Sequence, residues 1–444
     1  MFQLVKKLIK RIIFKDIEWN KTELKTFRLH FLYYTIEGII LGVLALNEFV
    51  FIKSLKGSNM QVGVLFQFSV MVLIFSIFFN EWLKRIANKK KLLIIVGIIT
   101  RLPLLILIFF PTNLSKLEGN SMYHIIFLLI FLIFYFANPI VYPIINLFLK
   151  RNYAHKNFGR LYSIATSFNK IIMLLVTFAY GWLLDYCDYA YIYVFPVIAA
   201  LGIFSIYLLT LIDYDEPYIE IPKRKLLQSI KQTISNMQNI MKSNKAYRDF
   251  EMGFMFYGFA FMGTVSVITI FFEKGLHLNY TTVAFYKNVY NILAILMLPF
   301  FGKLIGKIDP RKFAAITFAS LLFYLLFMAL TEYFPFYIEI MGIKMYLMLM
   351  LSTAFNGVFA ATMALLWSIG SVYFCKDEDA ANYQSIHLTF TGLRSFFAPL
   401  LGVLFYELWG FTWTFTIGIG FLIISIILMI VSIKKEKKLK PSFS

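Results

Sequence analysis

Twelve apolar stretches, each about as long as a membrane-spanning helix, constrain the fold of this chain more than any other feature. A helix needs about 20 residues to cross roughly 30 Å of hydrocarbon. A hydrophilic segment, residues 213–249, divides the stretches into six and six. The pattern predicts an all-α membrane protein with twelve transmembrane helices in two pseudo-symmetric six-helix bundles. The stretches cover residues 30–52, 60–80, 92–111, 122–149, 161–184, 190–212, 251–272, 281–302, 313–331, 344–374, 384–407 and 411–433.

Charged residues are scarce and unevenly placed. They make up 15% of the 444 residues, against about 25% in a typical soluble domain. Most of the 43 Lys and Arg residues lie in the termini, in the hydrophilic segment and in every second loop. Because positively charged loops stay on the cytoplasmic side, both termini and the hydrophilic segment are predicted to be cytoplasmic. The net charge of +19 then belongs to the membrane surface and does not indicate nucleic-acid binding.

The same pattern predicts five parts. Near the start, basic residues lie between apolar residues at helical spacing, which indicates an amphipathic segment on the inner membrane surface; a frayed basic tail is the alternative. Apolar residues at helical spacing in the hydrophilic segment predict one surface helix. The parts are an N-terminal segment (1–29), a first bundle (30–212), a cytoplasmic linker (213–249), a second bundle (250–433) and a basic cytoplasmic tail (434–444).

Several kinds of enzyme are disfavoured because their motifs are missing. The two cysteines, Cys187 and Cys375, are predicted to lie near opposite faces of the membrane, so they form neither a disulfide nor a metal site. The sequence contains no phosphate-binding loop and no His-Glu-x-x-His zinc motif. It therefore predicts no catalytic residues, no metal and no cofactor.

Two short basic turns occupy the same position in the two bundles. Residues 83–91 follow the second apolar stretch, and residues 302–312 follow the eighth. This correspondence predicts a duplicated six-helix unit arranged as parallel repeats.

With these turns the chain resembles the major facilitator superfamily, whose signature at this position is Gly-x-Leu-x-Asp-Arg-x-Gly-Arg-Arg. The second turn keeps Gly302, Leu304, Lys307 and Arg311, and both turns lack the acidic residue of the signature. The resemblance implies that these loops gate conformational change. The gating residues it implies are Arg85, Lys89, Lys307, Asp309 and Arg311.

Two other stretches, residues 181–185 and 383–402, resemble bacterial members of the superfamily. Two features of the drug/proton antiporters are absent, namely a buried arginine in the fourth stretch and a Gly-Pro pair in the fifth. The sequence therefore resembles the superfamily as a whole without resembling that class.

Five charged residues lie deep within the apolar stretches: Glu37, Arg101, Lys170, Lys287 and Arg394. A charge at mid-bilayer costs about 2.5–3.5 kcal/mol, so such residues usually pair with one another or line a polar cavity. The resemblance implies that all except Arg101 reach a central cavity, and that Arg101 braces the structure. Three cations against one carboxylate predict an anionic or carboxylate-bearing substrate. In the alternative, Glu37 pairs with one lysine and the other cations reach water.

Neutral polar residues share the faces of some of these helices. The predicted substrate-binding set is Lys170, Lys287, Arg394, Asn138, Tyr142, Asn291 and Asn356. For Asn138 and Tyr142 in the fourth stretch, polar contact between helices is an equal alternative. Glu37, the carboxylate placed deepest, is predicted to couple transport to protons, because burial and a nearby cation shift a carboxyl pKa in opposite directions.

These features together predict a secondary active transporter that works by alternating access. Its predicted partners are a small-molecule substrate, H⁺ and membrane lipid, with no nucleic acid, and it is predicted to be a monomer in the bacterial inner membrane. Two alternatives stay open at this point. One is a flippase for a lipid or lipid-linked solute, and the other is a sensor or assembly protein that does not transport.

Overall fold

The computed structural model describes residues 20–83, 85–86, 88–113, 116–118, 122–214, 226–375 and 380–439. Helices account for most of these residues. The predicted amphipathic segment before residue 20 and the end of the predicted tail, residues 440–444, lie outside the described residues.

The first bundle is built from helices that are in several cases two pieces of one membrane crossing. The helices are α1 (Lys21–Leu44), α2 (Asn47–Lys53), α3 (Asn59–Met71), α4 (Ser76–Leu83), α5 (Lys89–Arg101), α6 (Met122–Tyr135), α7 (Asn138–Asn152), α8 (His155–Tyr186) and α9 (Tyr191–Thr210). A 3₁₀ turn, Val72–Phe75, connects α3 to α4, and a second, Leu102–Phe109, extends α5.

The second bundle follows a linker helix, α10 (Leu226–Ser243), which confirms the predicted surface helix. Its elements are α11 (Lys245–Ile270), α12 (Tyr280–Ile305), α13 (Pro310–Tyr333), β1 (Tyr337–Ile340), β2 (Ile343–Tyr346), α14 (Leu347–Ile369) and α15 (Ala380–Leu439). A π turn, Phe271–Gly275, ends α11, and a 3₁₀ turn, Ser371–Phe374, follows α14.

Ten helical segments among the described residues are long and apolar enough to cross a membrane, compared with the twelve predicted. The last of them, Tyr383–Glu436, has 54 residues. Its backbone leaves helical geometry at Gly410, with φ 78° and ψ −174°. The second predicted stretch, 60–80, is not among the ten, and in the structure a 3₁₀ turn divides it into α3 and α4.

Some predicted boundaries differ from the structure. Helix α1 begins at Lys21, so residues 21–29 of the predicted N-terminal segment belong to the first bundle. The predicted linker, 213–249, ends earlier because Asn244 caps α11 through a bond from the Tyr247 N–H to its side-chain oxygen, 3.0 Å long. Polar residues therefore start these helices several residues before the hydrophobic stretch begins.

The predicted tenth stretch, 344–374, begins in the structure with a strand. Strands β1 and β2 form an antiparallel hairpin in which Glu339 faces Lys344. Met341 and Gly342 at its tip have φ values of 51° and 77°, which turn the chain back on itself. The hairpin forms because Ile and Tyr favour strands and a glycine at the tip accepts the positive φ.

The bundles meet along two pairs of helices. Helix α8 packs against α12, and α15 packs against α3. Within the bundles the corresponding contacts are α1 with α8 and α11 with α15. The first helix of each bundle thus packs on a helix that also contacts the other bundle, which fits a duplicated unit.

Candidate functional site

Polar contacts between the bundles cluster at one end, called here the joined end and defined by Lys53, Ser54, Asp185 and Tyr280. The Lys53 ammonium donates to the Leu278 carbonyl at 2.5 Å. The Ser54 and Tyr280 hydroxyls are 2.5 Å apart. These contacts connect the end of α2 to the start of α12.

The start of α12 is also capped from the other bundle. The two carboxylate oxygens of Asp185, at the end of α8, accept the backbone N–H groups of Tyr280 and Thr281, each at 2.7 Å. A helix N-terminus has unpaired N–H groups and a partial positive charge. Asp185 therefore fixes the position of α12 relative to the first bundle.

Lys287 lies two turns into α12 and connects the bundles again. Its ammonium donates to the carbonyl of Ala45, where the chain breaks between α1 and α2. Glu48 on α2, 9% exposed, lies close enough for its charge to interact with that of Lys287. The helix break supplies the acceptor, since a carbonyl within an intact helix is occupied by the backbone.

A cavity of about 320 Å³ lies beside Lys287, mainly within the second bundle. Its lining combines aromatic and aliphatic side chains with a few polar ones, and Lys287 is the only charged residue among those described. The lining residues are Phe66, Phe261, Val265, Ile268, Thr269, Phe272, Tyr286, Lys287, Tyr290, Tyr324, Met328, Leu349, Thr353, Asn356, Phe359 and Ala360. Of the predicted binding residues, the cavity brings together Lys287 and Asn356.

A second polar group lies within the first bundle. Glu37 accepts a hydrogen bond from the Ser205 hydroxyl at 2.8 Å, and its charge interacts with that of Arg101. Tyr142 on α7 also interacts electrostatically with both groups, yet 51% of its surface is exposed. The described partners of Glu37, Ser205 and Arg101, thus both belong to the first bundle.

Arg101 is 4% exposed. It donates to the Phe134 carbonyl at 3.0 Å, and its guanidinium lies 3.8 Å from the centre of the Phe134 ring. Gly202 provides the space, because a Cβ there would lie 2.9 Å from the Arg101 Cδ.

Arg394, predicted to bind substrate, is enclosed in the second bundle and does not line the cavity. It is 1% exposed and donates to the Phe254 carbonyl. Its guanidinium lies 5.4 Å from the centre of the Tyr257 ring, and its side chain fills the space left by the missing side chain of Gly258. Arg394 is therefore packed between α11 and α15 within the second bundle, as Arg101 is packed within the first.

The other predicted binding residues lie outside the cavity lining. Lys170 on α8 is partly exposed and makes no hydrogen bond or ion pair within the described part of the chain. Its neighbour one turn on, Leu174, accepts a bond across the bundle interface from Asn288 at 2.9 Å. Asn291 donates to the Lys287 carbonyl on its own helix at 2.7 Å. Asn138 begins α7 just after the kink in the fourth stretch.

The predicted gating loops make their described contacts within their own bundles. Arg311 binds Asp309 at 2.8 Å and Glu436, near the end of α15, at 2.5 Å. The Lys89 ammonium donates to the Ile86 carbonyl at 2.9 Å, Arg85 is half-buried, and Lys307 is exposed.

The pKa of the Asp309 carboxyl lies below its ordinary value. Partial burial raises this pKa, but the hydrogen bonds from Arg311 and its charge lower it by more. The carboxyl is therefore ionised at neutral pH, and its pairing with Arg311 is lost only when the pH falls through this lowered pKa.

Sequence reasoning missed two buried acids. Glu48 lies near the end of a predicted stretch, where a carboxylate reaches water easily. Glu251, at the predicted start of a stretch, is instead 1% exposed, and His387 Nδ1 lies 3.0 Å from its Oε1. His387 itself is 1% exposed. The residues that could have pointed to these acids are Lys287 for Glu48 and His387 for Glu251. Each lies on a distant helix, and spacing along the sequence does not relate residues on distant helices. Among the described residues no group of three or more His, Cys, Asp or Glu could hold a metal.

The sequence model of the Major Facilitator Superfamily matches residues 27–343. No curated protein matches the chain in sequence.

Several solved transporter structures share the fold. The nucleoside transporter NupG superposes with a TM-score of 0.63 at 14% identity, covering 94% of this chain and 100% of that one. A bacterial homolog of the human lysosomal transporter Spinster, inward-facing and occupied, gives 0.65 at 13% identity, with 96% and 100% covered. The xylose transporter XylE from E. coli, in a partially occluded inward-open conformation, gives 0.60 at 12% identity, with 92% and 96% covered.

Proposed function

The chain belongs to the major facilitator superfamily, and on this premise we propose that it is a secondary active transporter that moves a small anionic solute by alternating access. The observation that carries the proposal is Lys287, which lines the cavity while it contacts the other bundle. A charged group at both a cavity and a moving interface can link binding to the movement of the bundles.

We propose twelve crossings with cytoplasmic termini. Helix α15 supplies two of them, divided at Gly410, and α3 with α4 forms one that the 3₁₀ turn interrupts. The predicted loop charges give the orientation, in a bacterial inner membrane. In right-side-out vesicles a membrane-impermeant maleimide should label Cys187 and leave Cys375 unlabelled, and the reverse pattern would invert the topology.

In this orientation the joined end faces outward, so the structure represents an inward-facing state. Tyr142, which is 51% exposed, lies in the cytoplasmic half of its crossing in this orientation, and this exposure fits an opening on that side. The inward-facing and inward-open conformations of two transporters of the same fold are consistent with this assignment.

The substrate is proposed to be an anion because Lys287 lines the cavity and Lys170 has no described counter-charge. The two bundles are proposed to work as a monomer. A non-transporting sensor would be expected to have every interior charge paired, and Lys170 argues against that alternative.

Proton coupling is proposed to use a carboxylate of the first crossing. Glu37 was the sequence candidate, and Glu48 is a second one. The charge pair of Glu37 and Arg101 lies within one bundle, whereas that of Glu48 and Lys287 crosses between bundles. Only the second pair must change when the bundles rock, so Glu48 is better placed to couple protonation to conformation.

A thermal-shift screen of purified protein against metabolite anions, amines and lipids tests this function. Anions should stabilise the protein, and Lys287→Ala should remove the effect, whereas Lys274→Ala, which removes an exposed lysine, should keep it. Hits should then exchange across proteoliposomes. Stabilisation by lipids alone, with scrambling of labelled lipid, would instead assign a flippase.

A further inference from the structure

We propose that the cavity beside Lys287 selects a small aromatic carboxylate, a planar ring that carries one negative charge. This inference rests on the proposed function and specifies the substrate class of the same site. It follows from the composition of the lining, from the single charge in it and from the size of the cavity.

The lining is richer in aromatic side chains than the chain as a whole. Seven of its 16 residues are Phe or Tyr, whereas aromatic residues make up 19% of the sequence. The seven come from α3, α11, its π turn, α12, α13 and α14, so they surround the space and do not form one stripe. Phe261 and Phe359 lie 5.4 Å apart between ring centres and form one wall. Aromatic rings pair favourably with other rings beyond the effect of buried area.

The polar part of the described lining is small, and its only charge is positive. Lys287 supplies the only charge among the described lining residues. Neutral polar groups come from Thr269, Thr353 and Asn356 and from the hydroxyls of three tyrosines, Tyr286, Tyr290 and Tyr324. The Thr353 hydroxyl already donates to the Leu349 carbonyl at 2.7 Å. A sugar carries a hydroxyl group on most of its carbons and would turn several of them toward aromatic and aliphatic side chains, and leaving polar groups unpaired is costly.

A single ammonium fits a single negative charge. Lys287 donates one hydrogen bond to the Ala45 carbonyl, which leaves two donors for a ligand. Phosphate carries more charge and is usually held by several donors or by arginine. Because Glu48 already lies near Lys287, a doubly charged ligand would meet repulsion as well as attraction. An amine would be repelled by Lys287 directly.

The volume sets the size of the ligand. Ligand pockets are typically about 300–1,000 Å³, so a cavity of about 320 Å³ lies at the lower limit. One ring with a short acidic side chain fits such a space, and a peptide of several residues does not fit without further opening.

Calorimetric titration of the purified full chain with phenylacetate tests the proposal. The matched probes are cyclohexylacetate, which lacks the aromatic ring, 2-phenylethanol, which lacks the charge, phenethylamine, which reverses it, and inorganic phosphate. Phenylacetate should bind at least about tenfold more tightly than each of them. Equal or tighter binding of phosphate, cyclohexylacetate or phenethylamine would overturn the aromatic-carboxylate class.

Variants then locate the two halves of the ligand. Lys287→Met should weaken phenylacetate about tenfold or more and leave 2-phenylethanol unchanged, which also shows that the variant is folded. Phe359→Leu should weaken both ring-bearing probes, and Glu48→Gln should strengthen phenylacetate because it removes the competing carboxylate. Lys274→Met, the exposed-lysine control, should match the unchanged protein. Loss of phenylacetate binding in Lys274→Met to the same extent as in Lys287→Met would contradict the site.

Transport assays separate this proposal from the function on which it rests. If phosphate or another anion binds through Lys287 and exchanges across proteoliposomes, the aromatic class is wrong and the transporter stands. If phenylacetate binds as expected but no probe exchanges, the site stands and the transporter is wrong. If nothing binds and nothing exchanges, both are wrong.

Discussion

At the residue scale, three cations that lie within apolar stretches have different surroundings in the structure. Hydropathy marks Arg101, Lys287 and Arg394 equally as costly residues. The structure separates them, because two fill spaces beside glycines of other helices while Lys287 reaches a broken helix. These relations join helices that lie far apart in sequence, so spacing along one helix carries no information about them.

The two carboxylates of the first crossing should behave differently when neutralised. Glu48→Gln should abolish accumulation driven by a pH gradient and keep substrate exchange, since its charge interaction crosses the bundle interface. Glu37→Gln should keep proton-driven accumulation but lower the melting temperature, because it leaves the buried Arg101 without its nearest described counter-charge. Accumulation and counterflow in proteoliposomes, with thermal shift, measure both.

If Glu37 and not Glu48 couples transport to protons, the two variants should show the reverse of these results. Loss of proton-driven accumulation in Glu37→Gln with normal accumulation in Glu48→Gln would return the coupling role to Glu37, as the sequence alone predicted. Equal accumulation in both variants and the unchanged protein would rule out both carboxylates.

Gly258 should be intolerant of a side chain because Arg394 occupies the adjacent space. A Cβ at this position would overlap the Arg394 side chain, so Gly258→Ala should destabilise the protein by about 1–3 kcal/mol. Thermal unfolding in detergent measures the change. Gly420→Ala is the matched control, since nothing lies within 4 Å of a Cβ at that helical position.

A double-mutant cycle tests the cause of that destabilisation. Once Arg394→Met has replaced the guanidinium, the further change Gly258→Ala should cost much less than it does alone. Strict additivity of the two changes would show that Gly258 and Arg394 are not coupled.

At the scale of elements, hydropathy predicted long apolar helices but not the breaks within them. The break between α1 and α2, the 3₁₀ turn before α4 and the π turn after α11 all interrupt apolar sequence. No glycine or proline lies at Ala45–Leu46, so the break there left no local signal. Tertiary contacts stabilise such breaks, as when the Ala45 carbonyl accepts a hydrogen bond from the Lys287 ammonium.

The β-hairpin was also missed, since four-residue strands within an apolar region carry little periodicity. Tyr286 on α12 holds it in place. The Tyr286 hydroxyl accepts the Tyr346 N–H at 2.8 Å and donates to the Lys344 carbonyl at 3.0 Å. The hairpin is thereby tied to the helix that carries Lys287.

Tyr286→Phe should therefore loosen the hairpin without unfolding the bundle. A buried N–H that loses its partner costs about 1–3 kcal/mol, so the amides of β2 should exchange faster in hydrogen–deuterium exchange. Tyr333→Phe, at an exposed tyrosine, is the control and should leave the exchange unchanged. Unchanged exchange in Tyr286→Phe would show that the side chains of the hairpin hold it without this tether.

At the scale of the whole molecule, counting and charge asymmetry were enough to predict two related bundles. The superfamily match and the pairing of α8 with α12 and of α3 with α15 agree with that prediction. The end at which the bundles join was not readable from the sequence. The position of this end depends on contacts such as that between Asp185 and the start of α12. An acidic residue at the end of an apolar stretch does not reveal its partner in the sequence.

A disulfide across the joined end should stop transport and keep binding. A Cβ at Gly181 would lie 3.1 Å from the Cβ of Ala284 in the other bundle, slightly closer than the about 3.5–4.5 Å of a disulfide. In a background with Cys187 and Cys375 replaced by serine, oxidation of Gly181→Cys with Ala284→Cys should therefore link α8 to α12. Alternating access requires this end to open, so oxidised protein should lose exchange and regain it on reduction.

Binding to the locked protein provides the decisive comparison. If the joined end faces outward and the cavity is reached from the cytoplasmic side, the oxidised protein should still bind its ligand in a thermal-shift assay, as should each single-cysteine variant. Undiminished exchange by fully cross-linked protein would mean that the bundles do not separate at this end. The transporter would then have to move its substrate without the rocking motion on which the proposed mechanism depends.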